Sequence, residues 1–468
     1  MHAAHDTETS PATPGSTGSY TVPFAVVTGL FFLWGFITCM NDILIPYLKG
    51  VFDLSHTEAM LVQFAFFGAY FIGSLVYFVI SARAGDPIAR MGYRNGIIAG
   101  LALAAVGTAL FYPAAVFVSY GFFLTALFIL GLGFTLLQIA ANPYVAILGP
   151  ARTASSRLNL AQGFNSFGTT IAPLIGGFLV FTYFAVPGHT GADSVKIPYL
   201  IFALAFVAMA VFMKVAHLPE LKGSHSPERG AGALRHPHTV FGMIAIFMYV
   251  GAEVSIGSIL ISYLGLPEIA GLAHAEAAEW VSFYWGGLMI GRFLGAISLS
   301  RVRTPIKLAV MGAIPLAAYL VILSLRGGEV AGTYAIFLAV NLAGFLIGRS
   351  LAARTLVVFA CIAVALLAIT LTTGGAVAMW TVIGIGLFNS IMWSNIFTLA
   401  IEDLGTDTSQ ASSLLVMAIV GGAIVPVAQG AAADALGVHA SFIVPVAAYL
   451  YIAWYGAFGY RAGRTVTN

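Results

Sequence analysis

The sequence predicts an all-α membrane protein made of two pseudo-symmetric helical bundles, on three observations. Of its 468 residues, 60% are hydrophobic and only 8% are charged, whereas a soluble domain carries roughly a quarter charged. Apolar runs of about 20 residues, long enough to cross ~30 Å of hydrocarbon as helices, recur along the chain. Glycine, asparagine and proline positions of the first half reappear at fixed offsets in the second. The run lengths and the lack of period-two alternation exclude a membrane β-barrel.

Residues 1–20 are rich in Thr, Ser, Pro and Gly, with Asp6 and Glu8 and no apolar centre. They read as a disordered cytoplasmic tail and not as a signal peptide, which needs a basic start and an apolar core. Fourteen apolar runs follow, near 21–48, 59–82, 95–112, 117–145, 158–184, 197–217, 239–266, 276–299, 306–325, 331–349, 354–373, 378–401, 409–433 and 440–460. The polar stretch 218–238, rich in Gly, Pro, Ser and His, reads as a cytoplasmic linker between an N-terminal six-helix bundle (21–217) and a C-terminal bundle (239–461).

Orientation follows from the Lys/Arg bias of the loops. With the N-terminus inside, the inner loops carry Arg83, Arg90, Arg94, Arg152, Arg157, Lys214, Lys222, Arg229, Arg235, Arg301, Arg303, Lys307, Arg349, Arg354, Arg461 and Arg464. The outer loops hold only Lys49, Lys196 and Arg326, and Arg292 stays within a run. Both termini are therefore expected in the cytoplasm.

The halves repeat one another. Gly131 through Asn142 aligns on Gly384 through Asn395, an offset of 253 (395 − 142), which also carries Gly168 to Gly421, Pro173 to Pro426 and Gly177 to Gly430. Earlier in the halves, Phe67-Gly68 to Gly73 falls on Trp285-Gly286 to Gly291, an offset of 218 (291 − 73). The two offsets differ by 35, about one helical hairpin, so the architecture expected is twelve helices plus a hairpin inserted somewhere within 301–373. Two parallel six-helix halves place a substrate near mid-membrane between them, which is the plan of major facilitator transporters.

Composition also removes several function classes. A net charge of +2 from so few ionisable groups makes no nucleic-acid patch. Cys39 and Cys361 both sit in apolar runs, and no His/Cys spacing fits a metal site. No nucleophile–base pattern appears and no loop is long enough for a catalytic domain, so an enzyme is not expected, nor a cofactor beyond a coupling ion.

Polar residues inside the runs carry the functional reading. Asp42, in Trp34-Gly-Phe-Ile-Thr-Cys-Met-Asn41-Asp42-Ile-Leu-Ile-Pro46, is an ionisable group in the first run, and such groups cost energy unless they face a bundle interior or wet cavity. The alternative is that Asp42 snorkels at the helix end beside Pro46 and Lys49. Gln138 and Asn142 share one face of the fourth run at i, i+4, and Gln162 and Asn165 share one face of the fifth. Carboxamides offer donor and acceptor together, which suits a neutral polyol such as a sugar, although amides also bond helix to helix. In the second half Glu253 is the second candidate titratable group, with Arg292 as its alternative structural partner. Asn389, Trp393 and Asn395 supply polar and aromatic lining. Trp34 and Trp393 are candidates for stacking on a sugar, or else interface anchors. Arg90, Gly92 and Arg292 stand at expected gate or latch positions.

These residues resemble a known family. Asn41-Asp42-Ile-Leu-Ile-Pro46, Ala140-Ala-Asn142-Pro143-Tyr144, Leu158-Asn-Leu-Ala-Gln162-Gly-Phe-Asn165-Ser-Phe-Gly168 and Tyr249-Val-Gly-Ala252 are similar to the fucose:proton symporter family of the major facilitator superfamily, along most of 20–460. The resemblance implies that Asp42 is proton-linked and that Gln162 and Asn165 line a sugar site. Fucose transporters carry a second carboxylate where this chain has Gln138. With Ala252-Glu253-Val254-Ser255, that departure resembles the glucose/galactose branch. The expected function is cation-coupled import of a hexose (H⁺ or Na⁺, with Asp42, Glu253 and Asn41 in the coupling set). The expected protein is a monomer in the bacterial cytoplasmic (inner) membrane, whose partners are the sugar and the lipid bilayer. The alternatives are an uncoupled facilitator or sugar sensor on the same scaffold, or a symporter of another neutral sugar (fucose, fructose, N-acetylhexosamine).

Overall fold

The computed structural model describes residues 21–53, 56–179, 192–216, 218–219 and 230–463. A few helix side chains, those of Asn41 and Asp42 among them, lie outside the described set. So do the tail 1–20 and residues 220–229 of the polar stretch 218–238.

The first half consists of α1 (Thr21–Phe52), α2 (His56–Ala84), α3 (Tyr93–Val116), α4 (Tyr120–Ile147), α5 (Ala154–Phe178) and α6 (Lys196–Val215). The second runs through α7 (Pro237–Leu264), α8 (His274–Ser298), α9 (Thr304–Arg326), α10 (Gly328–Gly348) and α11 (Ala352–Thr372). It closes with α12 (Gly375–Ala400), α13 (Gly405–Leu436) and α14 (Ala440–Ala457). Among the described residues there is no strand, and twelve of these helices are long and apolar enough to cross a membrane. The other two, α5 and α8, have 25 residues each, about 37 Å of helix. Their amides and charges lower their hydropathy without shortening them.

Helix ends follow local chemistry. Ser119 caps α4 by accepting from the Phe122 N–H, satisfying one of the orphan donors of the first turn. Pro237 and Pro305 stand in the first turns of α7 and α9, where no backbone donor is needed. Between α2 and α3, Asp86 caps the short helix Pro87–Met91 through the Ile88 and Ala89 N–H groups. Gly92 ends that helix at φ +83°, a backbone state a side chain would strain.

The two halves pack alike. In the first, α3 runs along α4 and α6, α1 along α5, and α2 along α4. In the second, α11 runs along α12 and α14, α7 along α13, and α8 along α12. Hence α11 occupies the place of α3, and α9 with α10 forms the pair that has no counterpart. That pair lies at the rim: only 11% of the apolar window of α9 is buried. Its far end is tied down by Arg326, which meets the Glu279 carboxylate at 2.5 Å and lies over the Trp280 ring at 5.1 Å.

Glycine spacing sets the tightest contacts. A Cβ on Gly168 of α5 would fall on the Phe32 carbonyl oxygen and 2.9 Å from the Phe36 nitrogen of α1. Its repeat mate Gly421 on α13 faces the Phe247 backbone of α7 in the same way. Small residues at such sites let helix backbones approach closely where lipid offers no hydrophobic drive to association.

Candidate functional site

Between the halves, near the middle of the helices, lies a cavity of about 200 Å³. From the first half its wall takes Trp34 and Thr38 of α1, Phe66, Phe67 and Tyr70 of α2, Gln138 of α4, and Gln162 and Asn165 of α5. From the second it takes Tyr249, Val250 and Glu253 of α7, Arg292 of α8, Trp393 of α12 and Ile419 of α13. The first half thus presents three neutral carboxamides among aromatics, and the second presents one charged pair.

Arg292 is the most connected group on the wall. Its Nη1 donates to Ser166 Oγ of the opposite half, its Nε donates to the Ser390 carbonyl at 3.4 Å, and its Nη2 stands 4.0 Å from Glu253 Oε1. Both side chains of the Glu253–Arg292 pair are close to nine-tenths buried. The Glu253 main-chain carbonyl accepts from Tyr284, whose hydroxyl in turn accepts from Asn389. Trp34 packs its indole against Phe31 and Phe134, and Trp393 stacks on Phe397 at 25° between planes. The Trp393 Nε1 and Thr38 Oγ1 atoms are buried with no protein partner. A ligand in the cavity would therefore find hydrogen-bond capacity already desolvated.

Seven residues singled out from the sequence line this cavity together: Trp34, Gln138, Gln162, Asn165, Glu253, Arg292 and Trp393. Asn165 is partly engaged, since its Nδ2 donates to the Phe31 carbonyl of α1 at 3.0 Å. Three expected lining amides lie elsewhere. Asn389 is buried between Tyr284 and Tyr449, its Nδ2 donating to Tyr284 at 2.8 Å and its Oδ1 accepting from Tyr449 at 2.7 Å. Asn395 Nδ2 donates to the Ala352 carbonyl and its Oδ1 accepts from Asn159. Asn142 is fully buried and off the wall. Arg90 lies in the short helix Pro87–Met91 between α2 and α3, where it donates to the Ala84 carbonyl, and Gly92 ends that helix. The backbone of α1 continues through Asn41 and Asp42, one turn beyond Thr38, but their side chains lie outside the described residues.

The wall also holds residues the sequence reading passed over: Thr38, Phe66, Phe67, Tyr70, Tyr249, Val250 and Ile419. Tyr249 precedes Glu253 by four and Thr38 follows Trp34 by four, so helical spacing was the signal that could have found them.

On the Arg-rich side of the cavity the halves are joined by polar bonds. Ser155 meets Thr398 at 2.5 Å, Asn159 meets Asn395 at 3.2 Å, and Gln410 donates to Ser81 at 3.1 Å. Asp86 accepts from Ser409 at 2.5 Å and from Tyr77 at 2.6 Å. No group of three or more His, Cys, Asp or Glu side chains that could hold a metal ion occurs among the described residues.

Residues 25–353 match the model of the Major Facilitator Superfamily. The chain belongs to this superfamily. It is 44% identical over 460 residues to the glucose/galactose transporter of Brucella abortus biovar 1, covering 97% of each protein. It is 31% identical over 479 residues to the L-fucose-proton symporter of Escherichia coli K12, covering 97% of this chain and 96% of that one. The crystal structure of that symporter in its outward conformation superposes with a TM-score of 0.75 at 31% identity, over 94% of this chain and 99% of the other. Superfamily membership makes this protein a membrane transporter and not an enzyme.

Proposed function

We propose that the chain imports a hexose of the glucose/galactose type by cation-coupled symport, alternating access to the central cavity from the two sides of a bacterial cytoplasmic membrane. The observation that carries this reading is the cavity wall: neutral carboxamides from one half face indole and tyrosine from the other, inside a fold shared along nearly its whole length with glucose/galactose transporters. Amides fix hydroxyl directions and aromatic faces take the apolar side of a sugar ring. In this scheme Gln138, Gln162, Asn165, Trp34 and Trp393 hold the sugar. Asp42 is the coupling group, with Asn41 beside it, and Glu253 is set by Arg292. The loop of Arg90 and Gly92 belongs to the gate. Both termini and the Arg-rich loops face the cytoplasm, and the working unit is the monomer.

Radiolabelled glucose uptake into proteoliposomes, with H⁺ and Na⁺ gradients imposed separately, tests the scheme. Accumulation driven by H⁺ makes the proton the coupling ion despite the neutral Gln138, in keeping with Asp42 as its carrier. Accumulation only with Na⁺ makes the missing second carboxylate the mark of a changed coupling ion. Equilibration of sugar without any gradient dependence overturns coupling in favour of a facilitator.

A further inference from the structure

The bonds that join the halves on the Arg-rich side obey the internal repeat. Ser156 on α5 and Ser409 on α13 stand at the repeat offset of 253 (409 − 156). Both are largely buried, and both donate across the interface to the far end of a helix in the opposite half. Ser156 Oγ reaches the Ala296 carbonyl near the end of α8 at 2.5 Å, and Ser409 Oγ reaches Asp86 just past α2 at 2.5 Å. By the packing described above, α8 and α2 are themselves repeat counterparts.

Three residues further along come Asn159 and Ser412, again 253 apart (412 − 159). Asn159 Nδ2 donates to Asn395 Oδ1 on α12. The repeat counterpart of Asn395 is Asn142 on α4, and α4 packs directly against the α13 segment Thr408–Met417 that carries Ser412. On this side no direct bond is made. Ser412 Oγ, Asn142 Nδ2 and Asn142 Oδ1 are all buried without a protein partner. Native interiors rarely leave such atoms unpaired, and a buried water usually supplies about three hydrogen bonds at such a place. Asn142 and Ser412 offer three.

We propose that Asn142 and Ser412 are the fourth arm of a two-fold latch, closed through one buried water, that holds the Arg-rich side shut. Ser156, Ser409 and the Asn159–Asn395 pair are the other three arms. The inference rests on the alternating-access reading but not on the identity of sugar or ion. It moves Asn142 from the substrate to the gate. It also makes the latch asymmetric: a direct amide pair ties α5 to α12, and a longer water-bridged pair ties α4 to α13.

The test uses the full chain with Cys39→Ala and Cys361→Ala, and Ser394→Cys as reporter, because Ser394 on α12 is fully buried while the latch is closed. Labelling by a membrane-impermeant maleimide is followed in inside-out vesicles, without sugar or gradient. Ser412→Ala should raise the labelling rate about two- to tenfold, as expected for one lost hydrogen bond, and Asn142→Ala, which removes two of the three bonds to the water, at least as much. The double variant should rise no further than the larger single. Ser412→Asn, which installs the amide pair of the opposite arm, should slow labelling. An unlinked, orphaned hydroxyl predicts the reverse for Ser412→Ala: an unchanged or lower rate, since its removal relieves a buried unpaired group. That result, or a double variant whose effect is the product of the singles, overturns the proposal. A failure of transport itself leaves this readout untouched, so the two failures are distinguishable.

Discussion

Replacing Arg292 by Gln separates the roles of the charged pair on the cavity wall. At 4.0 Å and an effective dielectric near 20, the Glu253–Arg292 attraction is about 4 kcal/mol, and it offsets the cost of desolvating two charges. Removing the guanidinium leaves the largely buried Glu253 carboxylate without its counter-charge, which costs roughly 3–5 kcal/mol. It also removes the donors to Ser166 and the Ser390 carbonyl. Glu253→Gln is milder, about 1–2 kcal/mol, because Arg292 keeps both neutral partners, each bond contributing of order 1 kcal/mol. The double variant should fall between the two singles: it leaves no lone carboxylate, but it lacks the bonds from Arg292 to Ser166 and the Ser390 carbonyl. Thermal unfolding of the three purified variants in one detergent gives the ranking directly: Arg292→Gln lowest, the double above it, and Glu253→Gln highest. Arg292→Gln melting above Glu253→Gln, or a double variant showing the sum of both losses, would refute the assignment of Arg292 as the charge that keeps Glu253 tolerable.

Other consequences are measurable. Asp42→Asn should abolish accumulation of sugar against its gradient while leaving exchange between preloaded vesicles, and retained uphill uptake removes Asp42 from the coupling scheme. Gly168→Ala should cost about 1–3 kcal/mol by overpacking, because its Cβ would strike the α1 backbone. Gly68→Ala, whose Cβ meets nothing within 4 Å, should leave thermal stability within ~0.5 kcal/mol of the parent. Gln162→Leu should weaken sugar binding by about tenfold, the loss of one or two hydrogen bonds, without lowering the melting temperature; equal affinity for both proteins would take Gln162 off the substrate.

Much of the architecture was legible because membrane helices obey a length rule and because the halves repeat. The offset that linked Gly168 to Gly421 marks two sites where one backbone presses on another, so the repeat was read from the residues that packing constrains most. The pair without a counterpart, α9 with α10, was bounded only to 301–373, since three apolar runs look alike in sequence. Only packing distinguishes α11, wedged between α12 and α14, from the lipid-facing α9. The cavity was legible where polarity betrayed it, at Gln138, Gln162, Asn165, Glu253 and Arg292. Tyr70, Tyr249 and the Phe66–Phe67 pair escaped because an aromatic in an apolar run reads equally well as core or lipid contact. Asn142 shared a helix face with Gln138, but one turn along α4 carries the chain past the cavity wall and into the packed layer beneath it. Asn389 and Asn395 misled for the opposite reason: tyrosines and a backbone carbonyl, far away in sequence, consume their amides.

The pressing of α5 onto α1 at Gly168, and of α13 onto α7 at Gly421, has a mechanical consequence. Helices pressed this closely at Gly168 and Gly421 resist sliding past their neighbours. The seam between the halves, by contrast, is held by hydroxyls and amides, which exchange a protein partner for water at small net cost. In the alternating-access scheme proposed above, the balance between the two orientations then depends on these few polar bonds. Single substitutions along that seam, far from the sugar, can reset it, giving evolution a way to tune transport rate without touching what is transported.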